Sequence, residues 1–121
     1  MIATKNTKEE KTMKTQETIN AVRAWGIEKG ITGPDGARNE NAQFYKLIDE
    51  ATELAKSIVV NDHDEKIDAI GDCTVVLILM ADIIGETFED CLESAYNVIK
   101  SRTGRIVEGA FIKDNQPTKG E

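Results

Sequence analysis

The sequence holds one histidine and two cysteines among its 121 residues, and these shortages exclude several chemistries at once. Cys73 and Cys91 are too few for a disulfide scaffold, and they lack the spacing of a thiolate metal site. Both lie in apolar helical patterns, where a reduced thiol packs as a small hydrophobe. His63, in the polar turn Asn61-Asp-His-Asp64, cannot supply the Glu-x-x-His pairs of a carboxylate-bridged di-iron bundle. No second histidine exists to activate Cys73 as a nucleophile, so Cys73 is expected in the core. Aromatic residues are only 5% of the chain, so a core must be built from Ile, Val, Leu, Ala and Met, which suit interdigitating helices. No apolar signal segment opens the sequence, and its longest nearly unbroken apolar stretch, Cys73 to Ile84, is too short to span a bilayer. A cytoplasmic protein without a membrane partner is expected.

Cations are also in deficit. A net charge of −7 argues against polymeric nucleic acid as a partner, because that affinity comes chiefly from Lys and Arg neutralising phosphates. An acidic protein can still act on phosphates if its carboxylates gather around divalent cations that bridge to the anionic substrate.

The apolar share of 40% and the length predict one compact domain. Residues 1–14 are dense in Lys, Glu and Thr without periodicity and are expected to form a flexible N-terminal arm; 115–121 are expected to be a flexible tail. Between them, 15–114 is expected to be a single helical domain, an all-α bundle of about four helices with no alternation long enough for a sheet. The first helix is expected from Thr15 to Lys29, with Ile19, Val22 and Trp25 or Gly26 on one face, ended by Gly30-Ile-Thr-Gly-Pro-Asp-Gly36. The second runs from about Asn39–Asn41 to Val60, with Phe44, Leu47 or Ile48, Ala51, Leu54 or Ala55, and Ile58 inward. The third, about Asp64 to Gly85, is charged through Asp72 and apolar on nearly every side from Val75 to Ile84. A helix apolar all round must be covered all round, which predicts a homo-oligomer, dimer or tetramer, through Val75, Val76, Leu79 and Ile83. The fourth is expected from Thr87 to Arg102, with Thr87 and Asp90 as a capping box and Gly104 as its stop.

The acidic residues of the two middle helices have a pattern. Glu50 and Glu53 lie three apart on one face of the second helix, with Lys46 a turn earlier. Asp68 and Asp72, four apart, share a face of the third. With a turn near Asn61, an antiparallel hairpin brings position 50 level with 72 and position 53 level with 68 to 70. Crowded like charges need compensation, and a hard divalent cation with oxygen ligands supplies it. Mg²⁺ or Mn²⁺ is the expected cofactor, with Glu50, Glu53, Asp68 and Asp72 as ligands.

Glu50-Ala-Thr-Glu53, followed by Ile70-Gly-Asp72 and a long apolar helix, resembles the Glu-x-x-Glu…Glu-x-x-Asp signature of the MazG-like, all-α nucleoside triphosphate pyrophosphohydrolases. Ala24-Trp25 with Glu28-Lys-Gly-Ile31, and Tyr96-Asn97-Val-Ile-Lys100-Ser-Arg102 with Gly104, extend the likeness over about residues 16 to 113. The resemblance implies metal-dependent hydrolysis of an NTP or dNTP to the monophosphate and pyrophosphate. It makes Glu50, Glu53 and Asp72 the catalytic residues, and it places Asn97 and Lys100 on metal-bound phosphates. One position departs from the motif: its second glutamate falls at Ala69. Asp68 is the nearest substitute, rotated by about 100° around the helix. Lys46 and Arg102 are further substrate-binding candidates, with Arg105 and Lys113 completing a local basic patch, and Trp25 either stacks on a base or caps the core. Two alternatives stay open: a dUTPase or dCTPase on the same scaffold, and a non-catalytic helical oligomeric binding module.

Overall fold

The computed structural model describes residues 13–114. The expected tail, and the expected arm apart from Met13 and Lys14, lie outside the described residues. Helices α1 (Thr15–Glu28), α2 (Glu40–Val59), α3 (His63–Ile83) and α4 (Phe88–Ile99) are followed by strands β1 (Gly104–Val107) and β2 (Ala110–Lys113). The chain divides into two compact units, the first ending at Phe88 and the second beginning at Glu89.

The expected all-α class therefore needs a correction. The fold is mostly helical, but β1 and β2 pair antiparallel, from Gly104 opposite Lys113 to Val107 opposite Ala110. Gly104 opens a strand rather than stopping α4, which ends at Ile99. The hairpin is too short to announce itself by alternation. Its turn is the legible part: Glu108 and Gly109 both have positive φ, 49° and 83°, which suits a two-residue connection between strands.

In the first unit, α2 and α3 form an antiparallel hairpin and α1 packs on α3. Asparagine and aspartate make the junctions. Asn39 caps α2 by accepting from the Ala42 N–H at 2.9 Å, and Asp62 caps α3 by accepting from the Glu65 N–H at 3.1 Å, each satisfying a donor that the first helical turn leaves unpaired. Asn61 reverses the chain with φ 53°, a left-handed conformation that asparagine tolerates better than most residues. The 29–39 connection is ordered by its own bonds. Ala37 N donates to Gly30 O and Arg38 N to Ile31 O, while the Arg38 guanidinium donates to the Asp82 and Ile83 carbonyls at 3.0 and 2.9 Å, closing the C-terminal end of α3.

The core is small and lies along α3. Ala69, Val76, Ile78, Leu79, Ala81 and Ile83 are buried there, with Ile19 from α1. Val76, Leu79 and Ile83, expected to be covered by another subunit, are covered by the chain itself; Leu77, between them, is 43% exposed. On α2 the expected inward stripe is met at Leu47 and Leu54 and displaced at its other positions. The covered positions are Gln43, Leu47, Glu50, Leu54 and Ser57, which follow helical spacing and place Glu50 in the middle of the covered face. The more apolar stripe one residue further on, Phe44, Ile48, Ala51, Ala55 and Ile58, is exposed.

Candidate functional site

Because α2 and α3 run antiparallel from the turn at Asn61, Glu50 and Asp72 meet across the helix pair. Their carboxyl groups lie within hydrogen-bonding reach of each other, a bond that two carboxyl groups make only when one of them holds a proton. Asp72 is the one whose pKa is shifted. Partial burial raises its pKa from the ordinary carboxylate value, and the negative charges of Asp68 and Glu50 and hydrogen bonding with Glu50 act in the same direction; Lys46 acts in the opposite sense. Lys46 Nζ lies 3.3 Å from Glu50 Oε1, one turn back on α2. The Glu50 side chain is only 15% exposed, so this pair is less screened than an open surface ion pair.

The other expected ligands stand apart. Glu53 is exposed and pairs with Lys56 at 3.4 Å. Asp68 is exposed yet close enough for its charge to act on Asp72. Ala69, one turn before Asp72, is 3% exposed and occupies the covered face that the motif's glutamate would take. Among the described residues no group of three or more His, Cys, Asp or Glu side chains is gathered so as to hold a metal ion. The expected convergence of four carboxylates is thus realised as one contacting pair with a third charge at its flank.

Asp72 also borders an apolar cleft of about 380 Å³ lined by Thr18, Ala21, Val22, Trp25 and Val75. Of the two residues offered for the α1 core face, Gly26 is buried and Trp25 is 43% exposed, so the indole borders the cleft instead of filling the core. Its neighbours Ala21, Val22 and Val75 are apolar, and among the described residues the only carboxyl on the cleft wall is that of Asp72. A flat, partly polar group that presents an aromatic face to Trp25 suits such a wall.

The remaining candidates lie in the second unit. Lys100 Nζ donates to Asn97 Oδ1 at 3.2 Å at the end of α4, and both residues are exposed. Arg102, Arg105 and Lys113 follow on the turn and hairpin. Cys73 is partly buried and Cys91 exposed, so only Cys73 approaches the packed role expected of both. His63 is the first residue of α3 and exposed. Sequence reasoning missed Arg38, whose neighbours Gly36 and Ala37 concealed that its side chain ties the loop to α3. No family model matches the chain, and neither a curated protein nor a solved structure matches it.

The Asp72 carboxyl gives a pH dependence with a definite sign. Its pKa is higher in the folded chain than in the unfolded one, so the stability it contributes is whole below the unfolded carboxylate range and is lost as pH rises through the folded pKa. Without divalent cation, Asp72→Asn is expected to melt above wild type at pH 7, because the amide still donates to Glu50 and carries no charge. The gap should close below about pH 4, where an ordinary carboxyl is itself protonated. Circular dichroism melts across pH 3 to 8 check this; a gap independent of pH would rule out Asp72 titration as its source.

Proposed function

We propose that the chain is a divalent-cation-dependent nucleoside triphosphate pyrophosphohydrolase, cutting an NTP or dNTP into the monophosphate and pyrophosphate. The observation that carries this reading is the Glu50–Asp72 contact beside the Trp25 cleft. It joins the two halves of the MazG-like acidic motif across the α2–α3 pair, next to a surface suited to a base.

The donor set fits Mg²⁺ or Mn²⁺ in chemistry. Glu50 and Asp72 offer hard oxygens, and two carboxylates crowded together gain most from a cation. Glu50 and Asp72 would hold it, with Asp68 and Glu53 as the further carboxylates within the motif. Bound there, the ion would neutralise phosphate charge and lower the pKa of water. The chain's own residues would do the rest: Lys46 holds Glu50 in place, and Trp25 receives the base. Asn97, Lys100 and Arg102 are the phosphate-binding candidates that the resemblance offers within the second unit.

The working form is a cytoplasmic homo-oligomer. Its support is the apolar surface that the single chain leaves open, including Phe44, Ile48 and Ile58 on α2 and Ile67, Ile70 and Leu77 on α3. A second reading, a non-catalytic binding module, is favoured by one observation: Glu53 is committed to Lys56 and, among the described residues, no third carboxylate is gathered with the pair.

A panel of NTPs and dNTPs, including dUTP and dCTP, assayed with and without Mg²⁺ separates the two. Monophosphate plus pyrophosphate, formed only with the cation, is the expected result. Nucleotide binding without turnover of any member would establish the module instead.

A further inference from the structure

We propose that the second unit carries a phosphoryl-anion site of its own, in the cleft where the chain leaves α4 and enters the hairpin. The cleft has a volume of about 330 Å³ and is lined by Ser101, Arg102, Thr103, Lys113 and Asp114. Its shape is set by the closure of the hairpin. Asp114 N donates to Thr103 O at 3.0 Å, and the Thr103 hydroxyl donates to Asp114 Oδ2 at 2.6 Å. This double clamp holds the two ends of the hairpin together and brings Arg102 and Lys113, eleven positions apart in sequence, onto one cleft. Gly104, opposite Lys113, permits the close approach: a Cβ there would run into the Ile112 carbonyl oxygen and come within 2.6 Å of Phe111 Cζ.

Among the described residues, the Arg102 and Lys113 side chains make no hydrogen bond or ion pair. Among the described residues, then, two cations share one small cleft without partners in a chain of net charge −7. The local balance is reversed as well: residues 100–113 contain Lys100, Arg102, Arg105 and Lys113 against Glu108 alone. Asp114 offsets part of the positive charge at the rim, and one of its oxygens is already engaged by Thr103. A guanidinium fork, an ammonium and the Ser101 hydroxyl together match a compact anion with several oxygens, that is, phosphate, pyrophosphate or the phosphate end of a nucleotide. The overall acidity disfavours a polymeric nucleic acid at the same place.

This site does not depend on the carboxylate pair, so the two can fail separately. The test is an amide NMR titration of the full chain with inorganic phosphate and, in a second arm, pyrophosphate. Pyrophosphate is expected to shift the resonances of residues 101–105 and 112–114, more tightly than phosphate because it spans both cations. Arg102→Gln and Lys113→Gln should each weaken it by about tenfold, roughly the worth of one charge-assisted hydrogen bond; circular dichroism verifies that both variants fold. Glu50→Gln should bind as wild type does. No shift at millimolar pyrophosphate, shifts unchanged in both variants, or tighter binding of a single-stranded oligonucleotide to the same residues would each overturn the site. Pyrophosphate binding here in a chain that hydrolyses no nucleotide would leave the site standing and remove the enzymatic reading.

Discussion

Glu50→Gln is expected to lower Mg²⁺-dependent pyrophosphate release by more than the roughly 10–100-fold that loss of a group merely supporting a metal ligand costs. The substitution keeps the shape of the side chain and removes its charge, so the Lys46 pair is lost and the carboxylate opposite Asp72 becomes an amide. The fold should survive, because in the metal-free chain the repulsion that raises the Asp72 pKa is relieved. Asp72→Asn should behave in the same way. Glu53→Gln and Asp68→Asn separate the remaining two. Glu53 must leave Lys56 to become a ligand, so a loss matching that of Glu50→Gln means that the cation draws it in. A comparable loss in Asp68→Asn means that this exposed carboxylate fills the role that Ala69 cannot. Full activity in both Glu50→Gln and Glu53→Gln would end the metal-site assignment, and melts run beside the assays show whether any lost activity reflects unfolding.

The contrast between Glu50 and Glu53 also shows what could be read in advance. The turn at Asn61 fixes the level at which α2 and α3 face each other, and counting from that turn is enough to pair positions 50 and 72. Counting cannot choose which stripe of α2 turns inward. The apolar stripe through Phe44, Ile48 and Ile58 is the stronger sequence signal, yet the covered one runs through Leu47, Glu50, Leu54 and Ser57. Rotation by one residue carries Glu50 into the helix contact and leaves Glu53 outside, facing Lys56. Trp25 was ambiguous for a related reason. Trp25 and Gly26 are adjacent, either could lie on the inner face of α1, and only the packing of Leu79 against Gly26 decides between them. The hairpin and Arg38 escaped notice because four-residue strands and a single long-range side-chain bond leave no periodic trace.

The packing of Leu79 leads to the largest expected effect on stability. A Cβ added at Gly26 would lie 2.5 Å from Leu79 Cδ2, so Leu79 sits in the notch that the glycine leaves on α1, and it is 2% exposed. Truncation to alanine removes the largest apolar side chain that is fully buried and leaves a cavity that α1 cannot easily fill. The expected cost is about 2–5 kcal/mol, a large share of the roughly 5–15 kcal/mol by which small domains are stable. In a core with so few buried apolar residues, Leu79→Lys should abolish cooperative unfolding altogether, since it adds an unpaired charge to the same place. Leu77→Lys reverses the pattern. At 43% exposure it should change the stability of the chain by no more than about 0.5 kcal/mol, while dissociating an oligomer that uses the open face of α3. Urea melts and sedimentation velocity on the three variants check both halves. A cooperative, near-wild-type melt for Leu79→Ala would contradict the packing of α1 on α3. A wild type that sediments as a monomer at micromolar concentration, or an assembled wild type left unchanged by Leu77→Lys, would remove that face of α3 as the contact between copies.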